Sequence, residues 1–268
     1  GFAMTCQYKK IKGDIFIPTL TPLQKINRIR YFGGDYCTIH IIGNIFDETL
    51  SHAYEFCEIN SKQFVHPYND IYTITGQATI GLEILESITP DYIVCPIGGG
   101  GMISGISTYC KNEDKNVKIV GVEPENADSM KKSIERGQIV TLDTFNSFVD
   151  GAAVKKVGDL TFELCQKNVD SYITISNGKL CEDILNLYTV HGIITEPAGA
   201  LSVSALNQLN KEEIKGKNIV CIISGGNNDL TRYPDFINKC KVYQNLRHYY
   251  IIKFAQRPGE LKNFINNI

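Results

Sequence analysis

Short apolar runs alternate along this chain with longer stretches whose apolar residues recur every third or fourth position, a pattern that predicts β-strands and α-helices in succession from one end to the other. Strands are expected at 14–18, 36–42 and 63–66, in the run that starts at 92, and at 117–122, 172–176, 218–223 and 248–254. Helices are expected at 46–59, where Leu50, Tyr54 and Cys57 share a face, and at 72–87, 127–136, 159–168 and 179–191. Thr21 reads as the N-cap of an earlier helix with Pro22 at its first position, carrying Ile26, Ile29 and Arg30 to Gly33 and Gly34. Residues 1–13 read as a helix closed by Gly13, and Pro197 suits the first turn of a helix that starts at Glu196. Right-handed crossovers make one parallel sheet with helices on both faces the economical solution to this order.

The run at 92–107, YIVCPIGGGGMISGIS, organises the rest. Its apolar part reads as a strand buried on both faces, so the four glycines fall at the C-terminal edge of a parallel sheet, where α/β folds bind ligands. Glycine lets the backbone approach an anion, and the helix that follows offers unpaired N–H groups and the positive end of its dipole. A phosphate is the functional reading; a bare strand-to-helix turn is the plainer one. No Gly-Lys-Ser/Thr ends the loop, so it is not a nucleotide P-loop. A dinucleotide fingerprint fits poorly, because counting from Gly99 puts Ser104, and counting from Gly98 puts Ile103, where the third glycine belongs. Glu123, about where a ribose-binding acid would stand, keeps that reading open.

A second apolar run, 218–223, ends in another small-residue loop, Ser224-Gly225-Gly226-Asn227-Asn228, and two such buried strands can frame one ligand. Taken alone, Ser224 reads as a helix N-cap. Between 137 and 158 the periodicity weakens; Phe145, Phe148, Asp150 and Gly151 fall in expected loop, which reads as connection or as ligand wall.

Composition narrows the class. With 27 basic and 29 acidic residues the chain is nearly neutral, so no basic stripe recommends nucleic acid. No apolar run approaches the roughly 20 residues of a membrane span. Nine cysteines lie scattered without a CxxC pair and read as small core residues of a reducing cytoplasm, and the five dispersed histidines argue against a zinc site. The polar stretch 240–247 reads as a linker to a further domain. Both ends are expected to be cuts made inside helices.

In this order, GGGGMISG, VGVEPENADSM, DGAAV, EPAGALSVSAL and ISGGNND resemble the threonine dehydratase branch of the pyridoxal-phosphate (PLP) enzymes of the tryptophan-synthase-β fold, over essentially the whole chain. Serine dehydratases and serine racemases are similar. The resemblance implies an α/β, three-layer parallel-sheet PLP fold of type II, with a small domain at 1–66 and a large PLP-binding domain at 67–240. Residues 241–268 would be a linker and the start of an ACT-like α+β regulatory domain, since HYYIIKFAQRPGELKNFI is similar to that domain's first strand and helix. Also implied are pyridoxal 5'-phosphate as cofactor and deamination of L-threonine, or of L-serine, with 2-oxobutanoate and ammonia as the threonine products at the first step of isoleucine biosynthesis. Isoleucine or valine as effectors, a homotetramer and a cytoplasmic location complete the expectation, with neither nucleic acid nor membrane as partner.

Residue by residue, the resemblance gives the cofactor phosphate to the backbone of Gly98, Gly99, Gly100, Gly101 and Met102, and the pyridine nitrogen to the Ser224 hydroxyl. A hydroxyl cannot stabilise a protonated pyridinium as a carboxylate does, which favours elimination over transamination. Glu196 is expected to face the cofactor or to cap its helix, and Gly151 to pack close to the ligand or to turn the chain. Glu123 and Ala127 match two positions that hold a divalent cation in serine racemases. The third position is Ser129 instead of an acid, so Glu123 is read as a buried capping acid and no metal is expected. The family's covalent lysine lies upstream of the helix on which this chain begins, and Lys9, Lys10 and Lys25 do not stand in its motif. No catalytic residue is therefore assigned in this chain, which is expected to be inactive alone. A serine-directed enzyme, a non-catalytic binding protein of this fold and a nicotinamide dehydrogenase are the alternatives.

Overall fold

The computed structural model describes residues 1–267 except Leu20, Pro22, Ile45, Phe145 and Gln256, so the readings of Pro22 and Phe145 lie outside the described residues. In chain order the elements are α1 (Phe2–Lys9), β1 (Gly13–Ile17), α2 (Leu23–Gly33), β2 (Cys37–Ile41), α3 (Phe46–Ile59), α4 (Ile71–Ser87), β3 (Tyr92–Pro96), α5 (Gly101–Glu113), β4 (Lys118–Pro124), α6 (Ser129–Arg136), α7 (Asp159–Asn168), β5 (Ser171–Ile175), α8 (Asn177–His191), α9 (Pro197–Ser204), α10 (Lys211–Ile214), β6 (Ile219–Cys221), α11 (Tyr233–Tyr243) and α12 (Glu260–Asn266).

Four strands form a parallel sheet in the order β5-β4-β3-β6. Successive side chains of a strand point to opposite faces, and β3 supplies two cores in this way. Ile93 and Cys95 pack with Ile103, Ile106 and Cys110 of α5, and with Cys165 of α7. Val94 packs on the other face with Ile184 of α8, Leu201 of α9 and Phe236 of α11. The sheet is thus the middle of three layers. α5 is held in place by direct backbone contact with α4: a Cβ on Gly105 would stand 2.7 Å from the backbone nitrogen of Ala78.

A separate pair of parallel strands, β1 and β2, runs in register from Gly13 opposite Cys37 to Ile17 opposite Ile41. The single sheet expected from the β-α order is therefore two sheets, because crossover rules fix handedness and leave open which strands share a sheet.

Several local expectations are corrected. α1 stops at Lys9 with Lys10 in the left-handed region, and Gly13 instead opens β1, packed against Cys6 and Phe2. Residues 63–66 are not a strand; His66 turns inward and takes backbone N–H groups on its ring. β6 is an edge strand and only half-buried, since β3 is its one neighbour. α11 continues through the start of the stretch read as a linker, burying Phe236 and Cys240. No strand forms at 248–254 among the described residues, where Ile251 is 96% exposed and no strand lies beside it to pair with. The cysteines are free thiols; Cys6, Cys95, Cys110, Cys165, Cys181 and Cys240 are buried, as small core residues are.

Candidate active site beyond the glycine loop

The sheet order puts β4 on one side of β3 and β6 on the other. The chain leaves β3 through α5 on one face, and it reaches β6 by way of α9, packed on the opposite face, and α10. Such a switch of direction opens a crevice beyond the carboxyl ends of the two strands. The crevice here is a cavity of about 950 Å³, lined by every site residue singled out from the sequence: Gly98, Gly99, Gly100, Gly101, Met102, Gly151, Glu196 and Ser224.

The glycine loop lies along its floor. Among the described residues no protein acceptor meets the backbone N–H groups of Gly98, Gly99, Gly100, Gly101 or Met102. Gly99, Gly100 and Gly101 are buried, and buried N–H groups in proteins are almost always paired. Gly100 has φ +93, and a Cβ there would stand 2.8 Å from Met130 Cε and 2.9 Å from Thr161 Cβ. From α7, Thr161 Oγ1 donates to the Gly99 carbonyl at 2.7 Å, which fixes the loop from its other side. Three helix N-termini open onto the same space, those of α5 at Gly101, of α7 at Asp159 and of α9 at Pro197. Their dipoles favour an anion there.

Opposite the loop, Ser224 stands exposed to the cavity and caps no helix; the next turn begins only at Leu230. Glu196 occupies the N-cap position of α9 without a side-chain capping bond. Its carboxyl reaches across to Gly225, whose missing Cβ makes room for it. Burial, then the charge of Asp150, pushes Glu196 above the usual carboxylate range, against the pull of Lys25 and Arg28. Gly151 sits in a turn and also packs closely, since a Cβ on it would lie 3.0 Å from that of Ala198. Gly151 thus turns the chain at the cavity wall.

Two groups of residues meet around the cavity that sequence reasoning does not bring together, although it places Phe148 and Asp150 in a connection or ligand wall. Residues 66–70, of which His66 is expected to end a strand, lie over the glycine loop, with the Tyr68 ring in the space that a side chain on Gly99 would fill. Tyr68 and the glycines lie far apart in the sequence, so no local pattern joins them. At the far rim Asp150 pairs with Lys25 of α2 and with Arg232 at 3.4 Å, and Arg232 also donates to the Phe148 carbonyl at 2.6 Å. Charged residues so far apart in sequence carry no local pattern that would join them.

Glu123 faces away from this space. Fully buried, it accepts from the backbone N–H groups of Met130 at 2.9 Å and Lys131 at 2.8 Å, capping α6, and burial pushes its carboxyl up to about 8. No group of three or more His, Cys, Asp or Glu among the described residues could hold a metal ion. A phosphate-bearing cofactor fits the cavity better: orphan N–H groups with the α5 and α7 N-termini at the glycine loop, a hydroxyl beside the start of α9, and room within the usual range for small-molecule sites.

Residues 1–225 match the family model described as pyridoxal-phosphate dependent enzyme. The biosynthetic L-threonine dehydratase IlvA of Halalkalibacterium halodurans is 43% identical over 270 residues, an alignment that covers 100% of this chain and 65% of that protein. This chain thus spans less than two thirds of the length of the curated relatives it matches. Among solved structures, the processed form of threonine deaminase isoform 2 from Solanum lycopersicum superposes with a TM-score of 0.82 at 34% identity, covering 88% of this chain and 69% of that one. Maize serine racemase superposes with a TM-score of 0.80 at 28% identity, covering 91% and 74%.

Proposed function

The chain belongs to the pyridoxal-phosphate dependent enzyme family, and from that premise we propose that the protein is a threonine dehydratase converting L-threonine into 2-oxobutanoate and ammonia. The observation that carries the reading is the buried glycine cradle, whose N–H groups find no protein acceptor among the described residues. Gly98, Gly99, Gly100, Gly101 and Met102 would hold the cofactor phosphate, and Ser224 the ring nitrogen. When bound, pyridoxal phosphate supplies an electron sink for bonds at the amino acid's α-carbon.

The chain's own residues bind, orient and exclude water. The N-termini of α5 and α7, which meet the glycine loop, would favour the dianionic end. Ser224 offers a neutral hydrogen bond, which leaves the ring a weaker sink than a carboxylate would and favours loss of the β-hydroxyl. Glu196 lines the cavity, and burial shifts its carboxyl toward the protonated form relative to an exposed carboxylate. The 43% identity to biosynthetic threonine dehydratases supports threonine as substrate. No helix among the described residues is long and apolar enough to cross a membrane; we place the enzyme in the cytoplasm as a homotetramer that answers to isoleucine or valine.

The test is a substrate panel on the protein expressed from its own coding sequence. Release of ammonia and 2-oxobutanoate from L-threonine, faster than from L-serine, supports the reading. Interconversion of serine enantiomers without net ammonia would replace it with a racemase.

A further inference from the structure

We propose that residues 66–70 are a strap that locks the glycine loop in its phosphate-binding shape, with His66 as the positioning residue and Tyr68 as the side chain that fills the space the glycines leave. The inference rests on the phosphate reading of the loop given above.

The Tyr68 ring lies where a side chain on Gly99 would go, and a Cβ on Gly101 would stand 2.9 Å from Tyr68 Cα and Cβ. Two of the loop's glycines are thus required by the strap as well as by an approaching anion. His66 sets the strap's curvature: its Nδ1 accepts the backbone N–H of Tyr68 at 3.2 Å and of Asn69 at 2.9 Å. A nitrogen that accepts twice carries no proton, so the ring is the neutral tautomer protonated at Nε2. The carbonyl of His66 receives Thr73 Oγ1 at 2.9 Å, which ties the strap to α4.

Its far end is tied to α7. Asn69 Nδ2 donates to Asp159 Oδ1 at 2.6 Å, and Asn69 Oδ1 accepts the Leu160 N–H at 3.1 Å. One residue on, Thr161 holds the Gly99 carbonyl, so the loop is gripped by Tyr68 on one side and by α7 on the other, with His66 closing the ring of contacts.

Protonating His66 at Nδ1 would set a third N–H against the two it receives. The groups that face it are the rings of Phe64 and Tyr68 and the carboxylates of Asp70 and Asp159. Burial holds the imidazole below its usual range, against the pull of those two carboxylates. The strap is therefore intact above about pH 6.5, the unperturbed value, and loosens as pH falls through the lowered one.

The experiment measures dissociation constants of inorganic phosphate and of pyridoxal 5'-phosphate for the full chain by calorimetry, from pH 5.5 to 8, in wild type, His66→Leu and His66→Asn. Asn at this position can accept the same two N–H groups through Oδ1 and does not titrate. Two lost acceptor bonds should weaken both ligands about tenfold in His66→Leu at pH 8. His66→Asn should bind within roughly threefold of wild type at pH 8 and should overtake it on acidification, a comparison in which the ligand's own ionisation cancels. A folded His66→Leu that binds like wild type, or identical pH profiles for wild type and His66→Asn, would overturn the strap. Should His66→Leu not fold, the wild-type and Asn profiles decide alone. If wild type binds neither ligand, the phosphate reading falls and the strap's role falls with it.

Discussion

At Glu123 two forces act on one proton. Burial raises the carboxyl to about 8, while the N–H groups of Met130 and Lys131 favour the ionised form. A carboxyl whose pKa is raised by folding binds more protons in the folded state between the two values, so its contribution to stability is fully present below about 4.5 and is lost as pH rises through about 8. Glu123→Gln keeps one acceptor and does not titrate. Thermal melts should show it less stable than wild type at pH 5, with the gap narrowing by pH 8; a gap that widens instead would contradict this account. The capping role was legible through the resemblance, because Ser129 stands where a cation site would need a further acid. Its departure from ordinary titration was not, because that depends on how completely the two cores bury it. Gly100 tests the loop at the same scale. Ala at φ +93 is strained and would press on Met130 and Thr161, so Gly100→Ala should lose roughly 1–3 kcal/mol of stability and at least tenfold in pyridoxal-phosphate affinity, read by melting and titration.

At the scale of elements, α2 is tied to the far side of the cavity by polar side chains. Lys25 reaches Asp150, Arg28 Nη1 donates to Asn227 Oδ1 at 2.6 Å, and Gln24 Nε2 reaches the Asn228 carbonyl at 3.5 Å. These groups are substantially exposed, and exposed ion pairs contribute about 0–1 kcal/mol. Asp150→Asn should therefore leave the melting temperature nearly unchanged while amide exchange over α2 speeds up, and about 0.5 M salt should produce the same acceleration in wild type. A large drop in melting temperature would mean that the contact is structural. Elements with strong periodicity and clear ends, such as α3 and α7, were legible to the residue. The segments at 63–66 and 248–254 were not, because alternation describes what a strand would look like without supplying the neighbour it must pair with. For the same reason the alternation of elements alone does not show the division of the strands between two sheets.

Across the whole molecule, the site joins segments that the chain order keeps far apart. Its glycine loop and Ser224 could be picked out because small-residue loops after apolar runs have a physical reason to exist at a sheet edge. The strap could not, since Pro67, Tyr68, Asn69 and Asp70 read as an ordinary turn until Gly99 and Gly101 are seen beneath them. Ligand binding should be visible in global stability: pyridoxal phosphate at a hundred times its dissociation constant should add about 2.7 kcal/mol, measured as a raised unfolding midpoint, and Gly100→Ala should remove about half of that gain or more at the same concentration. The adjacency of β3 and β6 has a further consequence, for the order of events during synthesis. The glycine loop, α4, α5 and α7 are all made before β6, so a growing chain can assemble the anion cradle while the wall bearing Ser224 has yet to be translated. Capture of the intact cofactor thus belongs to the last stage of folding, and a ribosome-stalled chain ending before residue 218 should take up inorganic phosphate while failing to discriminate pyridoxal phosphate from it.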